Sequence, residues 1–383
     1  MNDAMKTPCY LFSADDLRKR ISFIKEGLPQ VKLTFSIKAN PFFLYTLKDY
    51  PDLAHVEVCS PGELSICMKC AVDGEKIIYS GVMKEREDIH EAVSYGVKYV
   101  TAESPLHFKL ISEEAEKSGK NIRVLLRLTS GNQFGMSEDD IIKILSEKDT
   151  ENVDIAGFHF YSGTAKNKLK QIEKDREKLS SLIERAKLET DYVPSLIEYG
   201  PGLSAEYYEE PYDEKDEALL KELSDTILSV GKDCTLGIEM GRFIAAGAGK
   251  YYTTVKDIKE NNGATYVIVD GGVHQLKYYG QNMAMRVPPV KVLRDGEIVT
   301  APENDKKAYS VCGSLCTVAD VLVREIELPE LKIGDVLCFE RCGAYSVTEG
   351  ALSFLSRDLP EIWLEDKELK CLRQRRDSWS LNC

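Results

Sequence analysis

The 383-residue sequence predicts an α/β architecture followed by an all-β one: a parallel (β/α)8 TIM barrel over residues 26–247, then a C-terminal β-barrel or sandwich domain over residues 248–383. Two observations predict this division. Between residues 30 and 245, short apolar, β-rich runs alternate with longer amphipathic segments, the pattern of parallel strands joined by helices. After Gly247 the helical periodicity fades, and strand-like runs follow one another closely, separated by Gly, Pro and Asp.

Eight β-rich runs define the expected barrel strands. They cover residues 32–39, 55–60, 76–80, 99–103, 123–128, 155–162, 195–200 and 235–243. Apolar residues recur at helical spacing between them, for example over residues 85–95, 105–118, 166–188 and 217–230. Eight strand–helix alternations are typical of a closed barrel rather than an open doubly wound sheet.

The β domain is expected to be mostly antiparallel. Its strand-like runs cover residues 250–255, 265–270, 290–294, 307–312, 321–325 and 335–339. The first 25 residues are too few for a domain of their own. We therefore assign residues 1–25 to the β domain, where they would add a strand through residues 8–12.

Composition and charge exclude several classes of protein. The net charge is −13 and no basic stretch offsets it, which argues against nucleic-acid binding. The N-terminus lacks the apolar core of a signal peptide, and no run approaches the ~18 apolar residues of a membrane span. Eleven cysteines without an export signal indicate reduced thiols and a cytoplasmic protein. Cys67 and Cys70 form a CxxC pair, but they have no second pair nearby and we expect no metal there.

Lys38 is the most unusual residue of the predicted barrel. It stands at the carboxyl end of the first predicted strand, directly before Ala39, Asn40 and Pro41. A lysine held in a partly desolvated pocket can act as a nucleophile toward an aldehyde. The alternative is a lysine that extends from a strand end into solvent.

Other chemically capable residues follow the remaining barrel strands, where the active sites of such barrels lie. They are Arg127, Tyr161, Thr164, Gly200, Gly202, Glu239, Gly241 and Arg242. Glycine-rich turns on adjacent strands can hold a phosphate through main-chain amides, although each alone is an ordinary turn glycine. Glu239, on an apolar strand, needs a cationic or N–H partner. An amine, a phosphate site and a buried carboxylate together match the requirements of pyridoxal 5'-phosphate (PLP).

The ordered set of motifs resembles the fold-type III PLP-dependent decarboxylases, the ornithine/diaminopimelate/arginine decarboxylase family, along nearly the whole chain. The matching segments are residues 35–40, 57–64, 79–84, 133–135, 239–242, 270–272, 312–320, 334–335 and 343–345. The resemblance implies an alanine-racemase-like barrel that binds PLP. It also implies a lyase that removes CO2 from an amino acid.

The resemblance implies roles for individual residues. Lys38 would form the internal aldimine, Glu239 would bond the pyridine nitrogen, and Cys316 would protonate the quinonoid carbanion. The phosphate would be held by Thr164, Gly200, Gly202, Gly241, Arg242 and Tyr345, with Arg127 and Tyr161 also near the cofactor. The family's cysteine and Gly-Ala-Tyr segments reach into the neighbouring subunit, so a homodimer with shared sites is expected. Racemases of the same fold place an arginine where this chain has Glu239, which favours decarboxylation.

Three positions depart from the family pattern. Tyr161 stands where the family usually stacks a histidine on the cofactor. Thr317 follows Cys316, where the diaminopimelate and ornithine enzymes have an acidic residue. Val273 and His274 begin a stretch where diaminopimelate enzymes carry Arg-Pro.

The last two departures resemble a subgroup found in biosynthetic gene clusters, some of whose members act on aminoacyl groups tethered to a carrier protein. The expected substrate is therefore an amino acid or a carrier-bound aminoacyl group. Candidate substrate-binding residues are Thr317, Asp320, Arg286 and Lys277, with Arg357 as a further candidate for a substrate carboxylate. The alternatives left open are a fold-type III racemase and a non-catalytic regulatory homologue.

Overall fold

The computed structural model describes residues 4–147, 152–232 and 234–383. These residues form two compact units. One comprises residues 20–205 with 214–243, and the other comprises the residues up to 19 with 206–213 and 244–383. Among the described residues, no helix combines the length and apolar character that crossing a bilayer would require.

The first unit is a closed barrel of eight parallel strands, as the sequence predicts. Strand β1 (Cys9–Ser13) and helix α1 (Ala14–Gly27) precede it in the chain. The barrel strands are β2 (Lys32–Ser36), β3 (His55–Val58), β4 (Ile77–Tyr79), β5 (Tyr99–Ala102), β6 (Ile122–Leu128), β7 (Val153–Tyr161), β8 (Leu196–Gly200) and β9 (Thr235–Met240). The barrel closes where β9 pairs with β2.

Helices connect the strands of the barrel. They are α2 (Leu44–Leu47), α3 (Pro61–Lys69), α4 (Arg86–Tyr95), α5 (Pro105–Ser118), α6 (Glu138–Ser146), α7 (Leu169–Thr190), α8 (Tyr212–Leu228) and α9 (Arg242–Ala245). Ser60, Ser104 and Ser137 each precede a helix, and each side chain accepts a hydrogen bond from a main-chain amide in the first turn. These caps fix where the chain leaves a strand and enters a helix.

The second unit is built around one ten-stranded sheet. After β1 its strands are β10 (Gly249–Asn261), β11 (Ala264–Val269), β12 (Val290–Arg294), β13 (Glu297–Val299), β14 (Lys307–Cys312), β15 (Val321–Leu328), β16 (Val336–Glu340), β17 (Glu361–Glu365) and β18 (Leu369–Arg373). The long strand β10 pairs antiparallel with β1, β11 and β16, while β1–β17 and β11–β14 are parallel pairs. Strands β13, β17 and β18 were absent from the sequence prediction.

Residues 206–213, which the sequence assigns to the barrel, belong to the second unit instead. The Arg341 guanidinium donates to the main-chain oxygen of Glu206 at 2.7 Å and to Asp213 Oδ1 at 2.8 Å. The Tyr208 hydroxyl donates to the main-chain oxygen of Tyr279 at 2.7 Å. These hydrogen bonds explain why the barrel unit resumes only at residue 214, and it spans residues 20 to 243 where the sequence predicts 26 to 247.

Candidate active site

Lys38 lies just beyond the carboxyl end of β2, in a single 3-10 turn at Ile37–Ala39. The sequence predicts a strand through residue 39, but the strand ends at Ser36. The Asn40 side chain accepts a hydrogen bond from the Phe42 amide, which starts the next turn and stops the strand early. The turn leaves the Lys38 side chain 38% exposed, a position that is reachable yet partly desolvated.

Two buried carboxylates surround the Lys38 amine. Lys38 Nζ lies 2.6 Å from Glu57 Oε2 and 3.4 Å from Glu239 Oε1. The Ser36 hydroxyl lies within hydrogen-bond reach of the same two oxygens, at 2.7 Å and 2.6 Å. Cys59 Sγ lies 3.4 Å from the amine and donates to Glu57 Oε1. Strands β2, β3 and β9 thus hold one amine against two acids.

Glu239 is kept ionised by its neighbours. Burial alone would raise the pKa of this carboxyl, but the Lys38 charge and hydrogen bonds from His159 and Ser36 hold it well below 4.5. His159 Nε2 lies 3.0 Å from Glu239 Oε2, whereas the Lys38 amine is near the other oxygen of the same carboxylate, Oε1. The ligand atoms of Glu57, His159 and Glu239 all lie within 4.8 Å of one another, a spacing that would also suit a metal ion. The Lys38 ammonium supplies the positive charge there.

Arg127, at the end of β6, forms an ion pair with Glu103. Its guanidinium donates to Glu103 Oε1 at 2.7 Å and lies 4.8 Å from the centroid of the Phe134 ring. Nearby Lys84 is also buried and donates to the main-chain oxygen of Gly81. Burial lowers the pKa of Lys84 to about 8, with Glu103 opposing that shift.

Two glycine-rich loops follow β7 and β8 and are joined to each other. The Lys166 amide donates to the Gly202 oxygen at 2.9 Å, and the Ser204 amide donates to the Lys166 oxygen at 3.0 Å. Gly202 has φ +62°, and a Cβ there would overlap the main-chain oxygen of Gly163. A side chain at Gly200 would meet the Tyr161 ring. The close approach of main chain to main chain requires glycine at position 202, and the packing of the Tyr161 ring requires it at position 200.

A buried carboxylate anchors the first of these loops. Asp175 on α7 accepts hydrogen bonds from Ser162 at 2.6 Å and Tyr199 at 2.8 Å and forms an ion pair with Lys166. Thr164 lies between Ser162 and Lys166. Burial raises the pKa of the neighbouring Tyr161, and Thr164 opposes that shift. The loop that carries Thr164 is therefore tied to α7 through Asp175.

The remaining candidates in the barrel lie after β9. Gly241 is half-buried and follows the last strand residue, Met240. Arg242 is buried and begins the short helix α9. Both belong to the barrel unit.

The other predicted site residues lie in the β unit and differ in their exposure and hydrogen bonding. Cys316 and Thr317 are exposed. Asp320 is buried, and its two oxygens accept the amides of Val273 at 2.8 Å and Leu315 at 2.6 Å. This bonding positions the turn that carries the cysteine.

Three more candidates lie in the β unit, and two of them contact side chains of the same unit. The Lys277 ammonium pairs with Glu349 at 3.1 Å. The Arg286 guanidinium stacks on Tyr208, 3.9 Å from the ring centroid. Tyr345 has φ +67°, a conformation that is rare for a residue with a side chain.

The barrel residues fit PLP by their chemistry. An amine, an ionised carboxylate and two interlocked glycine loops supply a covalent anchor, a partner for a protonated ring nitrogen and exposed amides for a phosphate. The fit includes the glycine positions, because a Cβ at Gly202 would fill the space between the loops.

Comparison with protein-family models decides the family. The pyridoxal binding domain of the pyridoxal-dependent decarboxylases matches residues 14–246, which is more than half of the chain. The chain belongs to this family. The predictions of the family, the PLP cofactor, the barrel with a C-terminal β domain and a carboxy-lyase activity on an amino acid or a derivative are thereby confirmed.

Relatives with named activities span the whole chain. The L-glutamyl-(BtrI acyl-carrier protein) decarboxylase of Niallia circulans is 26% identical over 397 residues, covering 97% of this chain and 91% of the relative. The diaminopimelate decarboxylase of Aquifex aeolicus is 25% identical over 389 residues, with 97% and 90% covered. Among solved structures, diaminopimelate decarboxylase from Helicobacter pylori complexed with L-lysine has a TM-score of 0.83 at 22% identity, covering 98% of this chain and 97% of that one.

Sequence reasoning gave no role to three residues of the Lys38 cluster: Ser36, Glu57 and Cys59. For Glu57 a signal existed. It is an acid inside the apolar strand β3, the same feature that singled out Glu239. His159 also has a role in this cluster that its position on β7 did not reveal, because its imidazole lies against Glu239.

Proposed function

We propose that the protein decarboxylates its substrate at the barrel mouth, with Lys38 as the residue that holds PLP. The observation that carries this proposal is the Lys38 amine, 2.6 Å from Glu57 and 3.4 Å from Glu239. An amine beside two buried acids is positioned by fixed charges rather than extended into water.

The chain's own residues would divide the work as follows. Glu239, held ionised by Lys38 and His159, would accept a hydrogen bond from the protonated ring nitrogen. The loops at Gly163–Thr164 and Gly200–Gly202, with Gly241, Arg242 and Tyr345, would bind the phosphate. When bound, PLP withdraws electrons from the substrate's α-carbon, so that CO2 can leave. Tyr161 would cover one face of the site with an aromatic ring.

Cys316 would supply the proton that replaces CO2. Its thiol is exposed and borne on a turn fixed by Asp320, so Sγ can be presented to a substrate. In the family the corresponding segment acts across a subunit interface. Val318, two residues later, is 99% exposed, and such an apolar side chain beside the cysteine supports burial against a second copy. We therefore propose a homodimer with shared sites.

The proposed substrate is an aminoacyl group on a carrier protein, with a free amino-acid derivative as the second candidate. Thr317 offers no negative charge beside Cys316 for a distal ammonium. The Niallia circulans relative, by its name, acts on a glutamyl carrier protein, which supports the same class. A cytoplasmic location is also proposed, because all eleven cysteines are free thiols.

Replacement of Lys38 tests the site. Lys38→Ala should lose both the visible absorbance of the bound cofactor and CO2 release, because no other amine takes its place. Lys32→Ala, an exposed lysine on the same strand, is the matched control and should keep both. A Lys38→Ala protein with unchanged absorbance and turnover would refute the assignment.

A substrate panel tests the substrate class and the racemase alternative. Purified protein is incubated with diaminopimelate, ornithine, lysine, glutamate and a glutamyl thioester of a carrier protein, and CO2 is measured. The thioester should be turned over fastest. Faster turnover of free diaminopimelate would overturn the carrier proposal alone, whereas loss of chirality without CO2 would favour a racemase.

Mixing two inactive variants tests the shared site. Lys38→Ala and Cys316→Ala homodimers, mixed and allowed to exchange, should recover about a quarter of wild-type activity, since half the dimers are mixed and each has one intact site. No recovery, with exchange verified by mass, would place both residues in one subunit's site.

A further inference from the structure

The β unit contains a cavity of about 490 Å³ that the decarboxylase site does not use. Its lining includes His274, Arg357, Arg375, Asp270 and Asp358. A volume of this size is typical of pockets for small molecules, which range from about 300 to 1,000 Å³. The polar side chains of the wall indicate what such a molecule would carry.

His274 is the residue that points to a ligand. Its side chain is 2% exposed and lines the cavity, yet neither ring nitrogen has a hydrogen-bond partner. Burial lowers its pKa below 6.5 against the opposing charge of Asp320, with a smaller lowering effect from Arg357, so the neutral ring offers one N–H donor and one acceptor. A buried polar group without partners is costly, and a ligand that bonds the ring would remove that cost.

Two arginines place positive charge on the cavity wall. Arg357 donates one hydrogen bond, to the main-chain oxygen of Ser314 at 2.7 Å. Arg375 likewise donates to the main-chain oxygen of Thr7 at 2.6 Å. Both bonds are made to neutral carbonyl groups, so neither guanidinium charge is neutralised by them. A guanidinium has five donors, which suits two-point binding of a carboxylate or phosphate.

The acidic residues of the wall do not cancel this charge. Asp270 accepts hydrogen bonds from Thr253, Thr254 and Thr7 at 2.8 to 2.9 Å. It also faces the Lys256 ammonium at 3.5 Å, which offsets its charge. Asp358 is exposed, as Arg357 and Arg375 are, so the wall carries two exposed cations against this one exposed anion.

We propose that this cavity binds a small oxyanion, a carboxylate or phosphate group on a molecule of metabolite size. Arg357 and Arg375 would bind the charged oxygens, and the His274 N–H would complete their hydrogen bonding. The proposal assigns Arg357 to this cavity, whose lining residues all belong to the β unit, rather than to a carboxylate of the decarboxylase substrate.

Calorimetric titration of the PLP-loaded protein tests the proposal. Excess PLP keeps the phosphate loops of the barrel occupied. Inorganic phosphate and citrate are titrated separately, with glycerol as a neutral control. At least one of the two anions should bind with a stoichiometry of one per chain. Binding of phosphate would indicate a phosphate-bearing ligand, and binding of citrate a carboxylate-bearing one. Arg357→Gln and Arg375→Gln should each weaken binding roughly tenfold or more.

Arg324→Gln is the matched control. Arg324 is an exposed arginine of the same unit, bonded to one main-chain oxygen, that of Met283, but it does not line the cavity. Its replacement should leave binding unchanged. Equal weakening in Arg324→Gln would show general surface attraction and overturn the proposal, as would the failure of both anions to bind at millimolar concentration.

A second measurement does not depend on the arginine variants folding. The chain has five histidines, and the imidazole proton signal of His274 can be assigned as the one missing from His274→Asn. In the wild type, that signal should shift when the anion is added. An anion that binds without moving the His274 signal would be bound elsewhere, and the proposal would fail.

Discussion

Replacement of Glu198 with glutamine should make the protein progressively more stable than the wild type as the pH rises above about 5. Glu198 lies on β8, is 1% exposed, and neither carboxylate oxygen has a hydrogen-bond partner. Burial raises its pKa well above 4.5. The nearby Thr34 hydroxyl opposes that shift, and the negative charges of Glu239 and Glu57 add to it. Folding therefore keeps a proton on this group that the unfolded chain releases.

The magnitude follows from proton linkage. A carboxyl whose folded pKa is raised contributes its full stability below the unfolded value and loses it as the pH climbs toward the folded value. Between those limits the unfolded state binds one proton fewer, so the free energy of unfolding falls by about 1.4 kcal/mol per pH unit. Glutamine does not titrate, so the variant should gain on the wild type by about 1.4 kcal/mol for each pH unit within that window.

Urea unfolding at several pH values, followed by circular dichroism, measures this difference. The unpaired glutamine amide can change the free energy of unfolding by an amount that does not depend on pH. The quantity to compare is therefore the slope of the stability difference against pH. Glu222→Gln, on the exposed surface of α8, controls for the loss of one carboxyl group. Infrared spectra recorded near pH 5 should also lose the band of a protonated carboxyl in Glu198→Gln. A flat stability difference, or an infrared spectrum with no band lost, would refute the reasoning.

Three further substitutions have defined outcomes. Gly237→Ala should lower the free energy of unfolding by about 1–3 kcal/mol, measured by urea denaturation, because the new Cβ overlaps the Glu198 carboxyl group. Gly202→Ala should weaken PLP binding about tenfold in a fluorescence titration, because a Cβ there would overlap the Gly163 oxygen. Glu239→Gln should still bind PLP but release CO2 at least about a hundredfold more slowly, because the ionised partner of the ring is lost. Wild-type values in any of the three would contradict the corresponding contact.

Topology explains why the centre of the site could be predicted. Lys38 and Glu239 are 201 positions apart, yet they follow strands that a closed parallel barrel makes neighbours. Once eight strands were recognised, their carboxyl ends had to share one mouth. The prediction that Lys38 and Glu239 lie close together therefore needed only the positions of the strand ends, which the ends of apolar runs indicate.

The rest depended on contacts that a linear pattern does not contain. Alternation along β3 and β7 tells which residues share a face, but not that Glu57 and His159 meet the amine and acid of other strands. Strands β17 and β18 mix charged and apolar residues, so their sequence does not mark them as strands. They are held in the sheet because β17 pairs with β1 and β18 pairs with β17. Residues 206–213 belong to the β unit rather than to the predicted barrel, and they are bonded there to Arg341, more than a hundred positions away in the chain.

The turn that carries Cys316 has a consequence for engineering new specificities. The Asp320 carboxylate fixes its backbone by accepting hydrogen bonds from main-chain amides. A side chain at Gly313 would collide with that carboxylate. Thr317 and Val318, by contrast, are exposed, although the Thr317 hydroxyl accepts a hydrogen bond from the Ala319 amide at 3.3 Å. A library that randomises these two exposed positions while keeping Asp320 and Gly313 should remain folded in most members. The scaffold thus separates the positions where specificity and subunit contact can be changed from those that keep the cysteine in place.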